Sequence, residues 1–254
     1  MSETAVVVGA SGAMGQVIAS KLVSRGLRVV AVARTEGALH ALAETSDRII
    51  PCACDISSDD AIEHLREKLT GPVRMIVHGP GVATAGGVSA APPAAVVDAV
   101  NIKVGGLLRV VRAADTRLVE GARIVAIGGL YGLEPNAYAA TAGVCNAAVA
   151  NVVRQLSLAY GARRITAHLL SPGPVDTERL HRIASGVATR DKLTVESVLE
   201  KMRSESPIGA FTTIGQVAWA VALLLDPEAD ALAGSTLFLD AGRRRGISRF
   251  GLRH

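Results

Sequence analysis

Val6-Val7-Val8-Gly9-Ala10-Ser11-Gly12-Ala13-Met14-Gly15 decides the fold of this 254-residue chain. Three consecutive β-branched residues predict a buried parallel strand. The glycines then turn the chain into an amphipathic run carrying Ile18, Leu22 and Val23, so the stretch reads as strand, glycine turn, helix. Gly9 permits a turn that other residues resist, and Gly12 and Gly15 leave no side chain where a phosphate or the strand approaches the helix start. The free N–H groups there, at the positive end of the helix dipole, make an anion site. The spacing is not G-x-G-x-x-G; it fits G-x-x-G-x-x-G, or G-x-x-x-G-x-G with Ala13 in place of the middle glycine. Its position after the first strand predicts a nucleotide phosphate site at Gly9, Ser11, Gly12, Ala13, Met14 and Gly15. The plainer alternative is an ordinary tight turn of an α/β protein.

A chain that is 49% hydrophobic and 20% charged can bury a sizeable core, most simply as one α/β domain. It contains no long apolar run and no basic-apolar-small leader after Met1-Ser2-Glu3-Thr4, so the expectation is a cytoplasmic protein without membrane attachment. Cys52, Cys54 and Cys145 lack metal-ligand spacing to any His, which points to buried thiols and to no metal site. The formal charge of +4 is concentrated in Arg243, Arg244, Arg245, Arg249 and Arg253. The body is close to neutral, which argues against a nucleic-acid face and for a basic tail over 243–254.

Beyond the first helix, Arg28 to Ala33 reads as a second strand, with Arg34 directly after it. Where a dinucleotide lies across such a sheet, an acidic residue at this point would bind the ribose 2′-hydroxyl. A cation suits a 2′-phosphate instead, so the pattern favours NADP(H), with NAD(H) the alternative. Arg48 to Cys54 forms a third strand closed by Asp55-Ile56, where Asp55 either caps the next helix or meets an adenine amino group. A fourth strand, Val73 to Val77, ends in His78-Gly79-Pro80-Gly81. Pro92-Pro93 starts a long helix that contains Asn101. A fifth strand opens into Gly128-Gly129-Leu130-Tyr131-Gly132, an alanine-rich helix follows from Thr141, and a sixth strand ends in Ser171-Pro172-Gly173-Pro174-Val175-Asp176-Thr177. The polar segment 178–207 reads as a lid or substrate loop. A last helix and the strand Ser235 to Leu239 complete seven strands in steady β/α alternation, a doubly wound, mainly parallel sheet in one domain over 1–242.

These pieces, in this order, resemble the short-chain dehydrogenase/reductase family, whose fold is Rossmann-like. The resemblance covers Thr4 to Gly242 and rests on the glycine turn, Asp55-Ile56, Gly81, Asn101, the Ser171 to Thr177 run, Pro207-Ile208-Gly209 and Leu239-Asp240-Ala241-Gly242. It implies that Gly79, Pro80 and Gly81 belong to the cofactor site, that Pro172, Gly173, Val175 and Thr177 lie against the nicotinamide end, and that the protein is a homo-oligomer, a dimer or tetramer. Members of the family use a Ser, a Tyr, a Lys and an Asn. At ungapped family spacing those positions fall on Gly129, Ala142, Asn146 and Asn101, so only Asn101 keeps its type. A gapped register recruits Tyr138 but puts Ala142 at the lysine position.

Three functions are compatible with this departure. The first is an NADP(H)-dependent oxidoreductase acting on a small carbonyl or alcohol, with Tyr138 or Tyr131 as proton donor, Asn101 retained and Asn146 contacting cofactor. The second is a non-redox enzyme using Tyr131, Glu134, Tyr138, His78 or His181 for acid-base work. The third is a non-catalytic nucleotide-binding subunit.

Overall fold

The computed structural model describes residues 2–83 and 86–243; Arg244, Arg245, Arg249 and Arg253 of the basic tail lie outside them. Seven parallel strands, β1 (Thr4–Val8), β2 (Arg28–Ala33), β3 (Ile49–Ala53), β4 (Val73–His78), β5 (Leu118–Ile127), β6 (Thr166–Pro172) and β7 (Thr236–Leu239), pair in the order β3-β2-β1-β4-β5-β6-β7. The order reverses direction between β1 and β4, and the carboxyl ends of those two strands open a crevice there.

Alternation along each strand divides the core. Val6, Val8, Val30, Val32, Ile76, Ile124 and Ala126 face one side. There they meet α3 (Ala61–Lys68), α5 (Gly106–Ala114) and α6 (Ala140–Tyr160) through Leu65, Leu107, Val110, Val149 and Val153. Ala5, Val7, Val29, Ala31, Met75, Val77 and Val125 face the other. They meet α1 (Ala13–Ser24), α2 (Glu36–Ala43) and α9 (Ile214–Leu223) through Ile18, Leu22, Leu39, Val217 and Val221. A strand buried on both faces is why the β-branched runs carry no polar alternation. Cys52, Cys54 and Cys145 are free and buried. None of the described helices is long and apolar enough to cross a membrane.

Two expectations change. The helix beginning at Pro93 is not continuous: α4 (Pro93–Val100) passes into a π-turn over Asn101–Gly105 before α5. The segment expected to be a lid loop is instead two helices, α7 (Glu178–Asp191) and α8 (Val195–Ser204), which bury Leu180, Ala184, Ala188, Val198 and Leu199 against each other. Their apolar stripe covers a partner helix and not the sheet, and the charged residues around it keep the mean hydropathy of the segment low, which is what made it look like a polar loop.

A buried polar cluster ties the amino-terminal ends of β5 and β6 to the segment before β7. Arg123, 2% exposed, donates to the carbonyl of Leu224, to Thr166 Oγ1 and to Asp230, the last over 2.5 Å. His168 bonds Thr166 Oγ1 and the Leu232 carbonyl at 2.7 and 3.1 Å. Burial and the Arg123 guanidinium hold its pKa down to about 4. The unfolded chain, with an ordinary imidazole near 6.5, therefore binds the extra proton between those values. Stability contributed by His168 is complete above about pH 6.5 and is lost as pH falls toward 4, up to about 3 kcal/mol. We expect the melting temperature to fall over that window in a pH series, and His168→Gln, which keeps hydrogen-bonding capacity, to flatten the decline.

Candidate active site

The crevice begins with a cradle that admits no side chain. Gly9 has φ +84°, and a Cβ on it would stand 2.8 Å from the Gly79 carbonyl oxygen. A Cβ on Gly15 would lie 2.2 Å from the Gly9 carbonyl oxygen, so the first turn of α1 sits directly on the end of β1. The N-cap of α1 is Gly12, and no side chain caps it. The backbone amides of the first turn are thus left for an anion. Gly12 and Ala13 are exposed at this helix start, Ser11 and Met14 are half-buried, and Gly15 is buried against Gly9.

Arg34 is exposed directly after β2, close enough to act electrostatically on Asp55. Asp55 does not cap α3, whose N-cap position is Asp60. Its Oδ1 accepts from the Ser57 amide and hydroxyl at 2.9 and 2.8 Å, and these bonds, reinforced by Arg34, hold its carboxyl below the usual range. Ile56 is buried beside this turn.

The turn after β4 carries His78, Gly79, Pro80 and Gly81. His78 is buried; Nε2 bonds the Ile102 carbonyl at 3.1 Å and Nδ1 has no partner. Desolvation, with Lys103 nearby, lowers its pKa to about 3. The imidazole stays neutral near pH 7, which removes it as a proton donor and makes it a strut between β4 and the π-turn. Gly81 faces Arg179 of α7, whose Nη2 donates to the Val82 carbonyl at 2.8 Å. A cavity of about 330 Å³ lined by Val82, Ala83, Arg179, Arg182 and Ile183 lies between this turn and α7. A larger one of about 610 Å³ is lined by Asp176, Thr177, Glu178, His181, Arg182 and Ser185, all from α7 and the residues leading into it. The smaller is the one shared by both walls of the crevice. His181 is exposed and pairs with Asp176 at 3.2 Å.

Asn101 is fully engaged. Its Nδ2 donates to the Ser57 carbonyl and its Oδ1 accepts from Arg109, both at 2.9 Å. The carboxamide braces the Asp55–Ser57 turn against the π-turn, so its polar atoms are spent there and not on the tyrosines. A register that counted residues had no access to these partners.

Two of the positions that family spacing picks out, Gly129 and Asn146, meet in space, while Asn101 lies on the Asp55–Ser57 turn. A Cβ on Gly129 would be 3.1 Å from Asn146 Nδ2, and one on Gly132 would be 2.7 Å from the Asn146 backbone. Asn146 is buried, and its Oδ1 has no hydrogen-bond partner in the protein. The oxygen is covered by the protein itself beside Gly128, so it is a buried acceptor left without a donor. Tyr131 lies in the turn Leu130–Gly132 that seats on α6. Glu134 continues this turn, its amide bonding the Leu130 carbonyl. Tyr138 lies further out, 74% exposed, with the Arg190 guanidinium 5.8 Å from its ring centroid. The two tyrosines thus occupy different places, a distinction the sequence did not make.

On the opposite wall, Pro172 ends β6, a Cβ on Gly173 would press on Asp240 at 3.1 Å, and Val175 pairs with Thr212 in an isolated bridge. Thr177 N-caps α7 by accepting from the Leu180 amide. Two residues missed at the sequence level border this region: Arg179 at the β4 turn, and Lys103, buried, whose Nζ donates to the Ile127 carbonyl at 2.8 Å. The one available signal was a lysine between apolar neighbours, Ile102 and Val104.

A family model described as Enoyl-(Acyl carrier protein) reductase matches residues 9–244. The chain is 25% identical to carbonyl reductase family member 4 of Danio rerio, over 95% of this chain and 98% of that one. It is 24% identical to a 3-oxoacyl-[acyl-carrier-protein] reductase of Pseudomonas aeruginosa, over 94% and 96%. Among solved structures, a variant of actinorhodin polyketide ketoreductase with NADPH aligns at TM-score 0.87 and 26% identity, over 95% of this chain and 97% of that one. With the seven-stranded sheet, the glycine cradle and this match along nearly all its length, the chain belongs to the short-chain dehydrogenase/reductase family of oxidoreductases.

Proposed function

We propose that the protein is an NADP(H)-dependent reductase of a small carbonyl compound. The observation that carries this reading is the bare cradle at the head of α1, paired with a guanidinium, Arg34, where an acidic residue would select the unphosphorylated cofactor. Gly9, Ser11 to Gly15, Arg34, Asp55-Ile56, Gly79 to Gly81, Asn146 and the Pro172 to Thr177 wall are the residues that would hold the dinucleotide. A reduced nicotinamide, when bound, supplies a hydride.

The chain must then supply a proton to the substrate oxygen and hold the charge that develops on it. Tyr131 is the donor, because its turn is seated on α6 at Asn146, where β5 ends. Tyr138, under Arg190, shapes the outer rim. Asn146, with Nδ2 beside Gly129, is the polar side chain next to the Tyr131 turn. Exposed apolar residues on α4 and α6, Val97, Val144 and Leu158, support association into a homo-oligomer through that face.

Fluorescence titration should give tighter binding of NADPH than NADH. Arg34→Ala should weaken NADPH by about tenfold or more while leaving NADH nearly unchanged. Gly15→Ala should abolish both, because its methyl occupies the place of the Gly9 carbonyl. With a carbonyl panel followed by NADPH absorbance, Tyr131→Phe should lower kcat by about 10²-fold with little change in KM, and Tyr138→Phe by far less. Failure to bind either nucleotide, or full activity in Tyr131→Phe, would overturn the respective assignment.

A further inference from the structure

The cavity between the β4 turn and α7 is lined by the two arginines of the α7–α8 pair that lack an acid. Arg190 pairs with Asp191, Arg203 with Glu200, and His181 with Asp176. Arg179 and Arg182 have no carboxylate within ion-pair distance among the described residues, and these two line the cavity. They lie one turn apart on α7 and so share a side of the helix, with Ile183 beside them. Val82 and Ala83 form the facing wall of this space of about 330 Å³. Arg179 gives one N–H to the Val82 carbonyl at 2.8 Å, which sets its guanidinium against the turn and leaves donors over. Arg182 has no hydrogen-bond partner among the described residues. The acids of this segment, Asp176 and Glu178, line the larger cavity, and neither pairs with Arg182. The buried Lys103 is a third positive charge in range: burial, and then the Arg179 charge, lower its pKa to about 8. Apolar walls with guanidinium donors and no acid make a site for a small organic anion.

The place of the cavity relates that anion to the reaction. Val82 directly follows Gly81, and α7 directly follows Val175 to Thr177. In the reductase reading these two segments hold the nicotinamide end of the cofactor. We propose that Arg179 and Arg182 recognise a carboxylate on the substrate, so that the carbonyl compound reduced is a short oxo acid with its carboxylate at α7 and its carbonyl toward the crevice. This deepens the reductase reading and rests on it. The reaction adds a hydride from reduced nicotinamide to the carbonyl carbon and a proton to its oxygen, giving a hydroxy acid and the oxidised cofactor; the carboxylate itself is unchanged. A planar carboxylate takes two parallel N–H bonds from one guanidinium fork. The acids on the other side of Arg182 work against a phosphate dianion.

Pyruvate, acetoacetate and levulinate, each beside its methyl ester, test the selectivity with NADPH. At least one acid should exceed its ester in kcat/KM by about tenfold or more, chiefly through KM. Arg182→Gln and Arg179→Gln should raise the KM of that acid and bring the acid-to-ester ratio toward one. Arg182→Lys, which keeps the charge and loses the fork, should restore part of the ratio. Calorimetry gives a readout apart from turnover: valerate should bind, the uncharged valeramide should not, and Arg182→Gln should abolish the difference. If wild type reduces carbonyls but prefers no acid to its ester, or both glutamine variants leave the ratio unmoved, or valerate and valeramide bind alike, the carboxylate site is overturned and the reductase reading stands. Pentyl phosphate binding more tightly than valerate overturns the choice of carboxylate. If wild type binds no nucleotide and reduces no carbonyl, the reductase reading falls, and the oxo-acid substrate falls with it.

Discussion

The close approach of the first turn of α1 to the end of β1 is the constraint from which the remainder follows. With Gly15 seated against the Gly9 carbonyl, the helix starts immediately above the strand and aims its uncapped amides into the crevice. Gly9, at positive φ, lets the strand turn away while the Gly79 carbonyl approaches from β4. One contact therefore fixes the anion cradle and closes the switch point of the sheet. A side chain at Gly15 would separate α1 from β1, and one at Gly9 would push β1 from the turn after β4.

The second organising feature is the π-turn. Inserting it between α4 and α5 lets Asn101 reach the turn after β3 while Lys103 reaches the end of β5 and His78 packs on Gly106. A regular helix would present these positions at 100° steps, and its ladder would not let neighbours serve separate strands so easily. The turn after β3 and the end of β5 are thereby both tied to one short segment.

Most of the architecture was legible from local pattern because the central parallel strands, buried on both faces, give unmistakable apolar runs, and helices alternate with the strands. The glycine turn was legible because φ and close approach restrict the residue type. The π-turn was not, since the bonds that sustain it join Asn101 to Ser57 and Arg109, and the first of these is distant in sequence. The two helices over 178–204 were hidden because their stripe covers only one another. Lys103 looked like an ordinary polar position on a helix; its burial depends on elements from three other parts of the chain. The difference between Tyr131 and Tyr138 was the least legible, because the two differ in tertiary seating and not in sequence context.

The contact between Arg179 and the Val82 carbonyl has a kinetic meaning. It joins α7 to the β4 turn across the mouth of the smaller cavity by one hydrogen bond, between an exposed side chain and a loop. A bond of this kind is worth about 1 kcal/mol, which favours the joined arrangement by roughly fivefold. The joined arrangement therefore predominates without being locked, and parting α7 from the β4 turn is a shallow step.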